Sequence, residues 1–212
     1  MMIHLLAGGP QDHHPDLRRY NSTGVVWAAA DRGVYHLLQL GIQLAAAFGD
    51  FDSVTDQELS WMQKRSELQL LPREKDETDL EIALGWALAQ KPAGIRIFGA
   101  TGGRLDHSLA NIQLLVRGLE QGVPITLADR QNELSLRQAG RHTIQRDDAF
   151  PYVSFLPFTG VVEGLTLEGF KYPLTAAAIR PGSTLCVSNE LAAEKGTFSF
   201  ESGILMVVRS RD

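Results

Sequence analysis

The sequence predicts a chain in two parts. Residues 1–123 read as an α/β domain with a mostly parallel sheet, and residues 124–212 as an all-β sandwich. Apolar runs of strand length alternate with helical periodicity up to Pro124. Beyond Pro124, short strand-like segments follow one another, punctuated by Gly, Pro and Asn, with no long helical pattern between them. The 212 residues, 44% hydrophobic and 21% charged, suffice for one large domain or two small ones with cores.

The elements follow in order. Met2 to Leu6 is an apolar run that ends at Gly8-Gly9-Pro10, a strand and then a turn. Gly24 to Ala30 is a second strand, closed by Asp31, and Val34 to Leu40 has helical spacing. Ala45 to Phe48 is a third strand, running into Gly49-Asp50-Phe51-Asp52-Ser53. Asp56 to Arg65 is rich in helix formers, and Leu68 to Leu71 is a short strand that Pro72 stops. Thr78-Asp79-Leu80-Glu81 has the pattern of a capping box opening a helix whose apolar face is Leu80, Leu84, Ala87 and Leu88. Ile95 to Phe98 is a strand leading into Gly99 to Asp106. A helix from about His107, with Leu109, Ile112, Leu115, Val116 and Leu119 on one side, ends at Gly122. In the second half the strand-like segments are Ile125 to Leu127, Tyr152 to Pro157, Val161 to Leu167, Thr184 to Ser188, Gly196 to Phe200 and Gly203 to Val208.

Composition excludes some functions. A net charge of −5 gives no basic excess for nucleic acid or anionic membranes. No window approaches a membrane span of about 20 apolar residues, and no basic-then-apolar leader opens the chain. A single cysteine, Cys186, allows no intrachain disulfide, which fits a reducing cytoplasm. As a thiol it reads as a small buried hydrophobe.

Acidic residues carry the chemistry. In an extended chain, side chains two apart point the same way, so Asp50 and Asp52 project together. Carboxylates forced together repel unless a cation sits between them, and magnesium suits a carboxylate pair that also meets phosphates. A lone Asp-x-Asp is more often a solvated turn. Here the pair sits at the C-terminal end of a strand, where open α/β sheets bind ligands, and Asp31 sits at the end of another. Asp79 opens a helix, where helix capping is the competing explanation.

The loop Gly99 to His107 is the second constellation. Its glycines let backbone approach phosphate oxygens, the next helix offers N–H donors, and Arg104 can hold a phosphate through its planar fork. It is neither a Walker loop nor a Gly-x-Gly-x-x-Gly fingerprint. Ser188-Asn189-Glu190 reads by itself as a β-turn. His13-His14 reads as surface loop, and Trp27, Trp61 and Trp86 as core or interface. These residues together describe a magnesium-dependent enzyme that transfers phosphoryl groups from a nucleotide.

In this order the segments resemble the thiamine pyrophosphokinase family. The matching pieces are Ala30-Asp31 before Gly33, Gly49 to Val54, Lys75-Asp76-x-Thr78-Asp79-Leu80-Glu81, and Gly99 to His107 with Asn111. In the β half they are Gly164-Leu165-Thr166, Gly169 to Leu174 and Ser188-Asn189-Glu190. The resemblance implies a homodimer with active sites at its interface, the sandwich of one chain helping to hold thiamine at the catalytic domain of the other. It implies conversion of thiamine and ATP to thiamine diphosphate and AMP. By position it makes Asp50, Asp52 and Asp79 magnesium ligands, and Asp31 and Asp106 further acids of the site. Lys75, Thr78, Thr101, Gly102, Gly103, Arg104 and His107 would then face the nucleotide, and Ser188 and Asn189 the thiamine. Arg32 stands where the family often has glycine; if that position needs φ > 0, Arg there is strained.

Three other activities share parts of this pattern. A haloacid-type phosphatase would use the first Asp of Asp-x-Asp as nucleophile. A metal-dependent sugar transferase would act on nucleotide-sugars. A sensor of nucleotide or thiamine would bind without turnover, although it would not need so many mutually repelling carboxylates.

Overall fold

The computed structural model describes residues 1–52, 54–72 and 74–212. Ser53, which closes the Gly49 to Ser53 segment, and Arg73 lie outside the described residues. The chain divides into two compact units, Met1–Arg130 and Gln131–Asp212.

The first unit is a parallel sheet with helices between its strands. In chain order it has β1 Met2–Leu6, β2 Val25–Ala30, α1 Arg32–Gln39, β3 Ala46–Gly49, α2 Asp56–Gln63 and β4 Gln69–Leu70. Next come α3 Asp79–Ala89, β5 Gly94–Phe98, α4 Leu105–Gln113, α5 Val116–Gln121 and β6 Ile125–Ala128. The spatial order is β6-β5-β1-β2-β3-β4, every described pairing parallel. The chain thus builds outward from β1 through β4, then crosses back to lay β5 on the other side of β1. That reversal between β1 and β5 is a topological switch point. The expected division at 123/124 shifts, because Ile125 to Ala128 pairs with β5 in register and so belongs to this sheet.

Small side chains set the sheet's packing. Ala28 and Ala29 face Ala46 and Ala47 in register across β2 and β3, and α3 lies against both strands. Its buried face is Leu80, Ala83, Leu84, Ala87 and Leu88. The expected capping box there is half made. Thr78 Oγ1 accepts the Glu81 N–H at 3.2 Å, but the Glu81 carboxylate pairs with Arg117 at 3.1 Å. The complete box is Thr55 with Glu58, at the start of α2. The long helix expected from His107 to Gly122 is two, turning at Leu114 and Leu115. Leu109, expected on its inner face, is 54% exposed, and α4 buries no residue.

One feature of this core is pH-sensitive. His4 is buried among Tyr20, Trp27 and Phe98, and its Nδ1 has no hydrogen-bond partner among the described residues. Burial, and secondly the charge of Arg96, push its pKa down to about 4. The folded value lies below the unfolded 6.5, so this contribution is complete above pH 6.5 and is lost as pH falls toward 4. Removing His4 should therefore flatten the acid limb of stability. Thermal melts at pH 7.5, 6, 5 and 4.5 should show His4→Leu losing less Tm than wild type; parallel curves would refute the assignment.

The second unit is antiparallel: β7 Asn132–Gln145, β8 Tyr152–Glu168, β9 Leu174–Ile179, β10 Asn189–Glu190 and β11 Lys195–Ser210. β11 pairs with β7 and β8, and β8 also pairs with β9 and β10. Two strands are far longer than the segments the sequence suggested, and β7 matches no suggested segment. Val161 to Leu167 continues Tyr152 to Pro157 in β8, and β11 joins the two Gly-started segments. These strands fold over a common core. Phe155 lies opposite Val207 in the ladder, yet its ring is 5.1 Å from that of Phe198. Nine residues of straight strand would separate Phe198 from Val207 by about 30 Å. The register shift between Phe200 and Ile204 lets β11 bend so that both halves cover one core. Thr184 to Ser188, expected as a strand, is turn up to β10, and it buries Cys186.

Candidate active site

Within the first unit, a cavity of about 980 Å³ opens over the C-terminal ends of β1, β2, β3 and β5. Ala7 to Gln11 come from the turn after β1, Ala30 and Asp31 from the end of β2, and Asp50 and Asp52 from the turn after β3. Lys75, Thr78 and Asp79 precede or open α3, and Gly99 to Thr101, Gly103 and Arg104 follow β5. All of them stand where a parallel sheet points its strand ends.

The carboxylates gather, but not in the expected set. Asp31, Asp50 and Asp79 place one oxygen each within 4.8 Å of one another. Asp52 lies on the same cavity wall but outside that group, and it is exposed. The reason is backbone geometry. Phe51 is buried but takes φ +54°, so the Asp50–Asp52 segment is not extended. The Asp52 N–H instead turns back to Asp50 Oδ1 at 3.1 Å. Asp31 also has a positive φ, +51°. Arg32 has no positive φ; it opens α1 and pairs with Glu58 at 3.3 Å, so the expected strain falls on its neighbour.

Electrostatics make the three acids a candidate cation site. Burial, then the charges of Asp79 and Asp50, raise the pKa of Asp31 from 3.8 to about 7, with Lys75 opposing. Asp79 Oδ1 is buried without a well-directed hydrogen bond, and the Lys75 ammonium lies 3.1 Å away. Hard oxygens converging on one point, only partly neutralised by one lysine, fit a small divalent ion. The folded pKa of Asp31 lies above the unfolded one. Its contribution is thus present below pH 3.8 and lost as pH rises through 7. A bound cation relieves that repulsion. Magnesium chloride should raise Tm more at pH 8 than at pH 5; equal shifts, or none, would count against the site.

The glycine loop is held from several sides. Thr101 donates its hydroxyl to the buried carboxylate of Asp129 at 2.8 Å, which leaves its oxygen an acceptor toward the cavity. Asn111 Nδ2 donates to the Ala100 carbonyl at 2.9 Å. Asp106, expected as an acid of the site, does not line the cavity; it grips Arg104 with both oxygens, at 3.1 and 2.6 Å. The hydrogen bond from Arg104 is the main reason its pKa is lowered. His107 and Gly103 line the cavity, and Gly102 does not.

In the second unit, Asn189 is 2% exposed. Its Oδ1 accepts from the N–H groups of Tyr172 and Glu190, at 3.0 and 2.9 Å, and its Nδ2 donates to the Tyr172 carbonyl at 2.8 Å. Three of its four hydrogen bonds are thereby used within its own unit. The side chain of Asn189, expected to contact thiamine, ties the Tyr172 backbone to Glu190 in this structure. Ser188 is exposed at φ +56°, its N–H donating to Ser154 Oγ at 2.9 Å.

Sequence reasoning missed Asp129, Tyr35, His36 and Gln39. The last three line the cavity. Asp129 carried the signal that found Asp31, an acid closing an apolar run. His36 looked like one more residue of an amphipathic helix.

A parallel sheet with clustered carboxylates and glycine turns at its switch point fits the class of α/β enzymes that bind a phosphorylated ligand with a cation. Residues 17–127 match the model of the thiamin pyrophosphokinase catalytic domain, and residues 141–205 that of the thiamin pyrophosphokinase vitamin B1 binding domain. The chain belongs to the thiamin pyrophosphokinase family. It is 47% identical to the thiamine pyrophosphokinase of Bacillus subtilis over 211 residues, 99% of each chain. The crystal structure of the thiamine pyrophosphokinase from Bacillus subtilis superposes with a TM-score of 0.96 over the whole of both chains at 47% identity. That of the thiamin pyrophosphokinase from Geobacillus thermodenitrificans gives 0.93 at 48% identity, covering 100% of this chain and 98% of its own.

Proposed function

We infer that this chain is a thiamine pyrophosphokinase that transfers a pyrophosphoryl group from ATP to the hydroxyl of thiamine, giving thiamine diphosphate and AMP. The observation that carries the reading is the pairing of both family domains with a convergent carboxylate group on the cavity of the catalytic one. The hydroxyl oxygen bonds to the β-phosphorus, the bond from that phosphorus to the α–β bridging oxygen breaks, and AMP leaves. The hydroxyl proton passes to a base. In this reading Asp31, Asp50 and Asp79 hold magnesium, with Asp52 on the wall beside them. Magnesium, when bound, neutralises charge on the transferring phosphates.

The chain's own residues orient the reactants. Lys75 stands beside Asp79, where it meets a phosphate oxygen. Thr78, the backbone of Thr101 and Gly103, Arg104 and His107 surround the rest of the polyphosphate, and Asp106 fixes the fork of Arg104. Of the two further acids, Asp106 is occupied by Arg104 and does not line the cavity, which leaves Asp31 as the acid placed to orient the hydroxyl. Ser188 is the side chain of the second unit assigned to thiamine. The reading includes a cytoplasmic homodimer, in which exposed Leu105 and Leu109 of α4 and Tyr172, Leu185 and Val187 of the second unit are apolar surface available for burial.

The test is direct. The protein is incubated with ATP, magnesium and thiamine, and products are weighed by mass spectrometry. AMP with thiamine diphosphate supports the reading. ADP with thiamine monophosphate would replace it with a simple kinase, and binding of both ligands without product would make the chain a sensor.

A further inference from the structure

The His13-His14 pair, read from sequence as surface loop, is instead packed against the two glycine turns of the cavity. Gly9 N–H donates to the Gly99 carbonyl at 2.9 Å. A Cβ on Gly9 would lie 2.3 Å from that same carbonyl oxygen, and one on Gly99 would lie 2.6 Å from the Ala7 carbonyl. The turns after β1 and β5 therefore touch backbone to backbone, with no room for a side chain between them. His14 closes on this junction. Its Nε2 is 3.1 Å from the Gly9 carbonyl. A carbonyl only accepts, so Nε2 carries the proton and donates. The same nitrogen would be 2.9 Å from a Cβ on Gly99, and the ring meets His36 edge-on at 5.8 Å.

The segment carrying His14 is itself anchored. The His13 carbonyl accepts the Arg130 N–H at 2.8 Å, and the His13 ring fills the space a Cβ on Gly102 would need. His14 does not line the cavity, whereas Gly8 to Pro10, His36 and Gly99 to Thr101 do. It therefore acts through its neighbours.

We propose that His14 is a positioning residue, locking the turns after β1 and β5 together so that the backbone N–H groups of the glycine loop are preset for the nucleotide's phosphates. This rests on the assignment of that loop to the nucleotide. The effect belongs to nucleotide affinity and not to thiamine, because the locked turns meet the phosphates.

The experiment compares wild type, His14→Leu and His14→Gln. Leu keeps bulk against His36 without a donor, and Gln restores an N–H. ATP affinity is measured by calorimetry with magnesium and without thiamine. Amide exchange is followed at Gly99 to Gly103, with KM for each substrate alongside. His14→Leu should weaken ATP binding about tenfold, which corresponds to about 1.4 kcal/mol. It should speed exchange in the loop and leave KM for thiamine within about twofold. His14→Gln should recover most of the ATP affinity. Unchanged ATP affinity in His14→Leu overturns the proposal, and so does an equal loss for both substrates. If the Leu variant does not fold, His14→Asn, too short to reach the Gly9 carbonyl, carries the same expectation against Gln. A wild-type protein that binds ATP but releases no AMP would fail the proposed function and still leave the His14 result readable by binding. A wild-type protein that binds no ATP sinks both.

Discussion

Asp50→Asn and Asp79→Asn should each lower the rate of AMP formation about 10²–10³-fold, the scale of losing one element of charge stabilisation at a transferring phosphoryl group. Both side chains belong to the group of three whose oxygens lie within 4.8 Å, and each substitution is nearly isosteric. The same changes remove like charge from around Asp31, whose pKa burial, and then the charges of these two neighbours, raise to about 7. Without a divalent ion Asp50→Asn should therefore melt at or above the wild-type temperature near pH 8, whereas Asp79→Asn also gives up its ion pair with Lys75; in both, the extra stabilisation by magnesium disappears. Loss of activity with unchanged or raised stability separates a functional acid from a structural one. The checks are steady-state rates by AMP release and melting curves with and without magnesium. Near-normal turnover in either variant would remove that residue from the metal site.

Gly33→Ala should cost about 3 kcal/mol of stability, at the upper end of overpacking losses, and should inactivate what still folds. A Cβ at Gly33 would lie 2.4 Å from the Leu6 carbonyl oxygen and 2.9 Å from that of Ala7. Those are backbone atoms of the central strand β1 and the turn after it, so neither can swing aside as a side chain would. The only relief is to lift the N-terminus of α1 from the sheet. Asp31 is the residue before that helix, so the lift carries its carboxylate away from Asp50 and Asp79. Urea titration gives the stability change, and magnesium binding by calorimetry reports the group. A variant as stable as wild type would mean that helix and strand adjust without cost.

Much of the first unit was legible because its signals are local. Strand-length apolar runs, each closed by Gly or Asp, located β1, β2, β3 and β5 and placed Asp31 and Asp50 at strand ends. The Gly122 stop is observed, with φ +67°. The second unit was harder. β7 shows few buried positions over much of its length, so hydrophobic alternation could not reveal it. β8 and β11 were read as pieces because the glycines at their bends look like turns.

By itself the sequence determined that acids would stand at the C-terminal ends of parallel strands, beside a glycine loop, in a chain whose ordered motifs resemble one family. Apolar runs specify strands, and the residue that ends a run is fixed by chain order alone. Which acids meet was decided only by tertiary structure. Asp31, Asp50 and Asp79 converge because β2 and β3 are neighbours in the sheet and α3 packs back across both. Asp52 stays outside because one buried side chain, Phe51, turns the backbone between the two acids. The same holds for His14, whose partners Gly9 and Gly99 come together only because β1 and β5 pair at the switch point. Spacing along the chain carries no information about contacts made by strands that the fold brings side by side.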